Sequence, residues 1–211
     1  GNKLVEIVEK TSEDTAEIVK TQYFYVSENN ESVTKLDMDS YMSAYDETDI
    51  RVKNPMGIRF KSAILTSAKY KETQFVIDEY GFIVATETAL GEEELTFDFS
   101  KYVTGVAYNK ENDTDIIFDA TDDNAHIFSG YVKNIPAKEY KTNLVCKTYT
   151  KITVGGEQFI LYSEKVVGNV YDTAQTLLTD DTLDTETKNA LYQIILDYES
   201  AVGLPGDDLY E

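Results

Sequence analysis

The chain has 211 residues, 42% of them apolar and 12% aromatic, a composition that supports a folded core and one domain. Its 19 Lys and Arg stand against 39 Asp and Glu, which gives a formal charge of −20 and argues against partners that are nucleic acids or anionic lipids. No apolar run reaches the length of a bilayer span, so membrane insertion is not expected either.

Residues 1–50 predict a β-rich segment that packs on the main domain. The runs 4–9 and 17–26 favour a hairpin around Thr11 to Asp14, because β-rich residues flank a polar turn. Four lysines and twelve acids make this segment strongly acidic. Asn54 to Gly57, which contains Pro and Gly, is typical of a turn or linker before the next strand.

Residues 51–165 predict an antiparallel β domain. Ile58 to Ile64 alternates apolar and charged side chains at its start, which is the pattern of a half-buried strand. Gly155-Gly156 indicates a hairpin turn between the runs 140–154 and 157–163. Other strands are predicted at 74–77, 82–86, 102–108, 115–118 and 125–135.

Polar strings separate these predicted strands. Asp78 to Gly81 predicts a turn between the runs 74–77 and 82–86, and Asn- and Asp-rich segments predict loops at 109–114 and 121–124. Strands at roughly ten-residue spacing with no helix between them favour an antiparallel sandwich or barrel over a βαβ fold.

The hydrophobic period changes in the last part of the chain, and residues 166–203 predict a helical hairpin. Apolar side chains recur at helical spacing from Val167 to Leu178 and again from Leu191 to Val202. The joining segment is Asp180 to Thr185. This region is also acidic, since Lys188 alone stands against ten acids in residues 168–211.

The second helix is expected to have an N-cap at Asp184 or Thr185 and to stop at Gly203. Residues 204–211 predict a flexible tail. The predicted fold class is therefore mainly β: an antiparallel β-sandwich-like domain with a C-terminal helical hairpin.

The middle of the chain contains a stretch of cations without any acid between them. One interpretation is that an acidic terminal segment packs beside this stretch, because opposite charges favour close approach. The alternative is an ordinary solvated strand face. The six cations are Arg51, Lys53, Arg59, Lys61, Lys69 and Lys71.

The sequence lacks the parts of common enzyme mechanisms. His126, the only histidine, would have to serve as the base of a triad, but it lies at a predicted strand start and no nucleophile-elbow motif is present. Cys146, the only cysteine, predicts a small buried side chain rather than a reactive thiol. Neither a Gly-rich phosphate loop nor a zinc-ligand cluster occurs. We therefore predict no enzymatic activity, no catalytic residue and no organic cofactor.

Acidic side chains on two neighbouring predicted loops raise a calcium hypothesis. They offer the hard oxygen ligands that Ca²⁺ prefers, although their spacing does not match an EF-hand. The alternative is that they are turn-forming, solubilising acids. The candidates are Asp113, Asp115, Asp119, Asp122 and Asp123.

Sixteen tyrosines make a recognition surface a second hypothesis. Tyrosine is rigid and amphipathic, so an exposed subset could stack on sugar rings or contact a protein partner, whereas an inward subset would be core. The candidates for the ligand-binding subset are Tyr102, Tyr108, Tyr131 and Tyr149.

Several strings resemble an uncharacterised C-terminal accessory region of secreted surface proteins from gut Firmicutes. The strings are Arg51 to Lys61, Glu79 to Val84, Tyr102 to Tyr108, Asn134-Ile135-Pro136, Tyr140, Cys146 to Tyr149 and a helix like Val170 to Ala174. The resemblance covers roughly residues 50–202 of the sequence; one departure is Lys147, where the family usually has Arg. It implies an exported location and a binding or architectural role, and it assigns no site.

The expected function is that of a non-enzymatic exported module of a bacterial surface protein, with a protein-interaction, adhesion or architectural role. The alternative is a carbohydrate-binding module that uses exposed tyrosines, with a structural calcium. The expected partner is a surface protein or a polysaccharide. The expected location is extracellular or at the cell surface, with Gly1 following a signal peptide that has been removed.

Overall fold

The computed structural model describes residues 3–13, 16–26, 33–36, 42–65, 75–111, 120–121, 125–154 and 156–204. The α-helices are α1 (Glu87–Leu90), α2 (Val170–Leu178) and α3 (Thr185–Val202), and a 3-10 turn covers Ala137–Glu139. The strands are β1 (Lys3–Glu13), β2 (Ala16–Val26), β3 (Val33–Leu36), β4 (Met42–Arg51), β5 (Gly57–Leu65), β6 (Phe75–Thr86), β7 (Val103–Asn109), β8 (Ala120–Thr121), β9 (Ala125–Lys133), β10 (Leu144–Val154), β11 (Glu157–Tyr162) and β12 (Val166–Gly168).

The described strands form three antiparallel sheets. A three-stranded sheet has the order β1-β2-β3, and a four-stranded sheet has the order β4-β5-β9-β8. A five-stranded sheet has the order β11-β10-β6-β7, with β12 also paired to β10. The prediction of a mainly β, sandwich-like fold with a C-terminal helical hairpin is therefore confirmed.

The main core lies between the four- and five-stranded sheets. Phe82 of β6 and Phe128 of β9 bring their ring centroids to 5.1 Å across it, and both side chains are buried. Gly130 makes this contact possible, because a Cβ there would lie 2.6 Å from the Phe82 ring. Ala174 of α2 and Leu191 of α3 are buried in the same cluster, so the helical hairpin closes one side of the core.

The helix boundaries follow from local capping. Asn169 is the N-cap of α2, so this helix begins at Val170, and Val167 lies in β12 instead of the predicted helical face. The Asp184 side chain accepts the Thr187 amide at 2.7 Å, which confirms one of the two expected N-caps of α3. Gly203 ends α3 in the left-handed conformation that favours glycine.

A smaller core covers the outer face of the five-stranded sheet. Residues 87–102 cross this face and place Leu90, Leu95 and Phe99 against Ile83 of β6. Tyr149 of β10 is buried in the same cluster. Strands β6 and β10 are therefore buried on both sides, which explains their apolar runs.

The predicted turn from Asp78 to Gly81 is wrong, because β6 runs unbroken through it. Lys151 of β10 pairs with Glu79 and Ile152 with Ile77, so Asp78 is an extra residue in a β-bulge. Both acids consequently lie on the outer face. Lysines from other strands pair with them there, which removes the reason to expect a solvated turn.

The N-terminal hairpin prediction is confirmed, since β1 and β2 pair from Lys3↔Val26 to Glu13↔Ala16. The boundary placed after residue 50 falls within β4, which pairs with β5. Packing of residues 1–50 on the main domain stays a prediction, and the strand predicted at 115–118 lies outside the described residues. In the described part of the chain, no helix has both the length and the apolar character required to span a membrane.

Candidate functional site

In the part of the chain that the structure describes, the outer edge of β7 has no paired strand and carries the most exposed large apolar side chains. β7 stands at one end of the five-stranded sheet, where its inner edge pairs with β6. Val103 and Val106 are 60% and 56% exposed, and the two residues between them are exposed as well. No residue of β7 carries a charge. An edge strand of this kind presents unpaired backbone donors and acceptors beside apolar side chains.

Two glycines set β7 in this position. A Cβ on Gly81 of β6 would come within 2.1 Å of the Gly105 carbonyl oxygen, so the two strands approach closely only because Gly81 has no side chain. A Cβ on Gly105 would meet nothing within 4 Å. Strand β7 is therefore packed closely against β6, and the space beside Gly105 is empty.

A polar network lies at the bulge on the outer face of the same sheet. Asp78 forms an ion pair with Lys110, and it accepts hydrogen bonds from Thr153 Oγ1 at 2.5 Å and from Gln158 Nε2 at 3.1 Å. Burial alone would raise the pKa of Asp78, but these donors hold it below its ordinary value. Asp78 is thus an ionised group with its oxygens occupied.

Glu79 repeats this arrangement with other partners. Its carboxylate accepts from Lys151 Nζ at 2.8 Å, from the Tyr149 hydroxyl at 2.9 Å and from Asn109 Nδ2 at 2.7 Å. Burial works to raise the pKa of Glu79, and the three donors lower it below its ordinary value. A cavity of about 220 Å³ adjoins the two acids. Because both stay ionised and fully engaged, the cluster is suited to holding strands together and not to acid catalysis.

A larger groove of about 610 Å³ lies at the start of α2. Its polar side chains bind one another: Asn169 Nδ2 donates to Asn143 Oδ1 at 2.8 Å and to Asp172 Oδ2 at 2.7 Å. The hydroxyls of Thr48 and Thr173 are 2.6 Å apart. None of the described residues that line the groove is aromatic, so it offers no surface for stacking a sugar ring.

The four candidate tyrosines lie in different environments. Tyr102 packs edge-on against Phe97 in the smaller core, and Tyr108 stacks on Tyr80 at 5.3 Å. Tyr149 is 1% exposed, so its ring faces are covered and only its hydroxyl acts, on Glu79.

Tyr131 lies on the four-stranded sheet, away from the other three, between the side chains of Arg51 and Lys133. The four rings therefore do not form one platform for a polysaccharide.

The remaining candidates divide between buried and undescribed residues. Cys146 is buried as predicted, and burial raises the pKa of its thiol, which suppresses the reactive thiolate. His126 lies in β9, where its backbone pairs with Ile64 and Thr121. The calcium candidates Asp113, Asp115, Asp119, Asp122 and Asp123 lie outside the described residues. Within the described ranges, no group of three or more acids, histidines or cysteines is arranged to hold a metal ion.

Sequence reasoning missed the role of Val103 and Val106. The available signal was the run 102–109, which has no charged residue in a chain that is 27% charged. The run 102–108 was predicted only as a strand, because exposure of an edge depends on which strand stands beside it.

Comparisons of the chain with protein-family models, with curated proteins and with solved structures gave no match. The functional argument consequently depends on the residues and on the geometry of the surfaces described above.

Proposed function

We propose that the protein is a non-enzymatic, exported module of a bacterial surface protein, with an architectural role in which two copies associate through β7. The exposed, uncharged edge of β7 is the observation that carries this proposal. The strings that resemble accessory regions of secreted surface proteins support the location.

Pairing of β7 with β7 of a second copy gives hydrogen-bond partners to the outer backbone groups of both strands. In a two-fold antiparallel arrangement centred on Gly105, Thr104 of one copy lies opposite Val106 of the other, and the two Gly105 residues face each other, so that directly opposed residues share a sheet face. The two five-stranded sheets then form one continuous sheet. Backbone hydrogen bonds supply affinity, and burial of the four valines adds an apolar contribution.

The net charge gives this association a distinctive salt dependence. Two copies that each carry −20 repel one another, while the paired edges themselves are neutral. Added salt shortens the range of the repulsion and leaves the backbone pairing unaffected. We therefore expect dimerisation to strengthen as ionic strength rises, whereas an interface made of ion pairs would weaken.

Light scattering and sedimentation of the purified protein across a salt series test the proposal. The wild type should dimerise, and Val106→Lys should be monomeric, because a charge on an edge strand opposes pairing. Val167→Lys is the matched control, since Val167 is also an exposed strand valine but lies on β12. It should dimerise like the wild type.

Concentration-dependent amide hydrogen exchange gives a second measurement that needs no variant. Amides of residues 103–106 should gain protection at high protein concentration, and those of β12 should not. A wild type that stays monomeric at every salt concentration overturns the proposal. So does a folded Val106→Lys protein that dimerises like the control.

A further inference from the structure

A cluster of cations lies on the outer face of the four-stranded sheet. The strand register brings these residues together: Arg59 of β5 pairs with Tyr131 of β9, and Gly57 pairs with both Arg51 and Lys133. Directly paired residues share one face of a sheet. We call this surface the basic face, and its members are Arg51, Arg59, Lys61, Tyr131 and Lys133.

The alternate residues on the same strands confirm which side this is. Ile50, Phe60 and Phe128 are buried in the main core, so the residues next to them in sequence point away from it. Lys133 is exposed, and Lys61 and Arg51 are partly exposed. The basic face is therefore open to a partner from outside the sandwich.

One carboxylate on this surface shows how the cations hold an acid. Asp49 of β4 lies opposite Arg59, forms an ion pair with it and stands 3.7 Å from Lys61 Nζ. An aspartate side chain is the same group that an acidic peptide would present. This contact demonstrates that a carboxylate fits between an arginine and a lysine on this sheet face.

Two other cations of the basic face have no such partner. Arg51 and Lys133 flank the Tyr131 ring, at 5.6 Å and 5.8 Å from its centroid. Among the described residues, Arg51 donates to the Lys53 carbonyl oxygen, at 3.4 Å. In the part of the chain that the structure describes, neither cation has a carboxylate within ion-pair distance.

We propose that the basic face binds an extended acidic polypeptide segment, with Arg51 and Lys133 contacting its carboxylates over Tyr131. Arg51 and Lys133 both pair with Gly57, so their backbones are two strand spacings apart, about 9.6 Å. Residues three positions apart in an extended peptide are separated by about 10 Å, so carboxylates of a short acidic segment can reach both cations. A guanidinium group can bind a carboxylate through paired hydrogen bonds, and Arg59 donates one such bond from Nη2 to Asp49 Oδ2.

The overall charge of −20 does not prevent this binding. The Debye length at physiological ionic strength is about 8 Å, so a ligand at the sheet face is influenced mainly by neighbouring charges. Four cations and one carboxylate supply those charges. The surface is also separate from β7, which belongs to the other sheet, so this proposal and self-association can fail independently.

Fluorescence anisotropy with a labelled oligo-glutamate peptide as the probe tests the proposal. We compare the wild type with the double variant Arg51→Gln/Lys133→Gln, which removes charge and keeps side-chain length. The control is Lys138→Gln/Lys165→Gln, which removes the same charge from two exposed lysines elsewhere. Loss of the two contacts should weaken binding at least tenfold, on the order of two charge-assisted hydrogen bonds, while the control should change it less than twofold.

Three results would overturn this assignment. The first is no binding of oligo-glutamate to the folded wild type at low salt. The second is an equal loss in both double variants, which would show that only net charge matters. The third is binding of a sulfated polysaccharide, with heparin as the probe, in the absence of any binding of oligo-glutamate.

Discussion

The outer faces of the two main sheets carry the same kinds of residue and are organised in opposite ways. On the five-stranded sheet, residues 87–102 cover much of the face, and the acids at the bulge are saturated by donors from three strands. On the four-stranded sheet, Arg51 and Lys133 have no carboxylate partner among the described residues. A cationic side chain without a carboxylate partner indicates a surface that can bind an acidic ligand.

This difference also distinguishes charged residues that stabilise the fold from charged residues that can bind a ligand. Asp78 and Glu79 hold β6, β7 and β10 together, and any ligand would have to compete with Lys110, Lys151 and Tyr149. The basic face needs no such displacement, because its outer cations are free to bind. Changes in the first region should therefore alter stability, and changes in the second should alter binding.

The largest expected change in stability comes from removing apolar packing on the outer face of the five-stranded sheet. Leu95→Ala removes a buried side chain from the smaller core and should cost about 3 kcal/mol in the free energy of unfolding, measured by urea titration. Leu204→Ala, the same substitution at an exposed position, should cost less than about 0.5 kcal/mol. Equal costs would mean that the cover is not packed and that the two faces do not differ.

A pair of matched substitutions sharpens the comparison. Asp78→Asn should lower the free energy of unfolding by about 2 kcal/mol, because the Asp78 side chain is 7% exposed and holds three donors. Asp49→Asn should cost less than about 1 kcal/mol, because its side chain is 24% exposed. Asp49→Asn should also tighten oligo-glutamate binding, since it removes the acid that the structure describes on the basic face. Urea titration that ranks the two costs in reverse would contradict the distinction between the faces.

The smallest expected effect is a change in the pH dependence of stability. The pKa values of Asp78 and Glu79 are lowered on folding from ordinary values of 3.8 and 4.5, so the stabilisation is full above those values and is lost as the pH falls below them. Urea titrations from about pH 7 to pH 3 should show a shallower loss in Asp78→Asn/Glu79→Gln than in the wild type. Parallel pH profiles would exclude these two acids as the cause.

Local chemistry made much of the fold predictable. The hairpin predicted around Gly155-Gly156, the Asp184 cap and the Gly203 stop each depend on residues within a few positions of one another. The structure pairs β10 with β11 and has the cap and the stop of α3 at these residues. The alternation in Ile58 to Ile64 likewise depends on burial of one face. Features of this kind can be predicted because all the residues that determine them lie within a short segment of the sequence.

The errors arose where distant residues decide the outcome. Asp78 to Gly81 has the composition of a turn, but it pairs as a strand with β10 and β7, and partners far along the chain, Lys110 and Lys151 among them, bind its acids. The acid-free stretch that includes Arg51 was visible in the sequence. The sequence did not predict that this stretch forms a basic face, because Tyr131 and Lys133 come beside it only through the pairing of β5 with β9.

Asp78 is the extra residue of the bulge in β6, and this position affects how the sheet would respond to a one-residue deletion. Ile77, Tyr80, Phe82 and Val84 all face the main core, and removing Asp78 would leave Ile77 and Tyr80 separated by one residue, as regular alternation requires. A one-residue deletion inside a central strand, ordinarily ruinous, should here restore an unbroken ladder. A change in length at this position would therefore remove the carboxylate of Asp78 and its hydrogen bonds while the interior of the sheet stays in register.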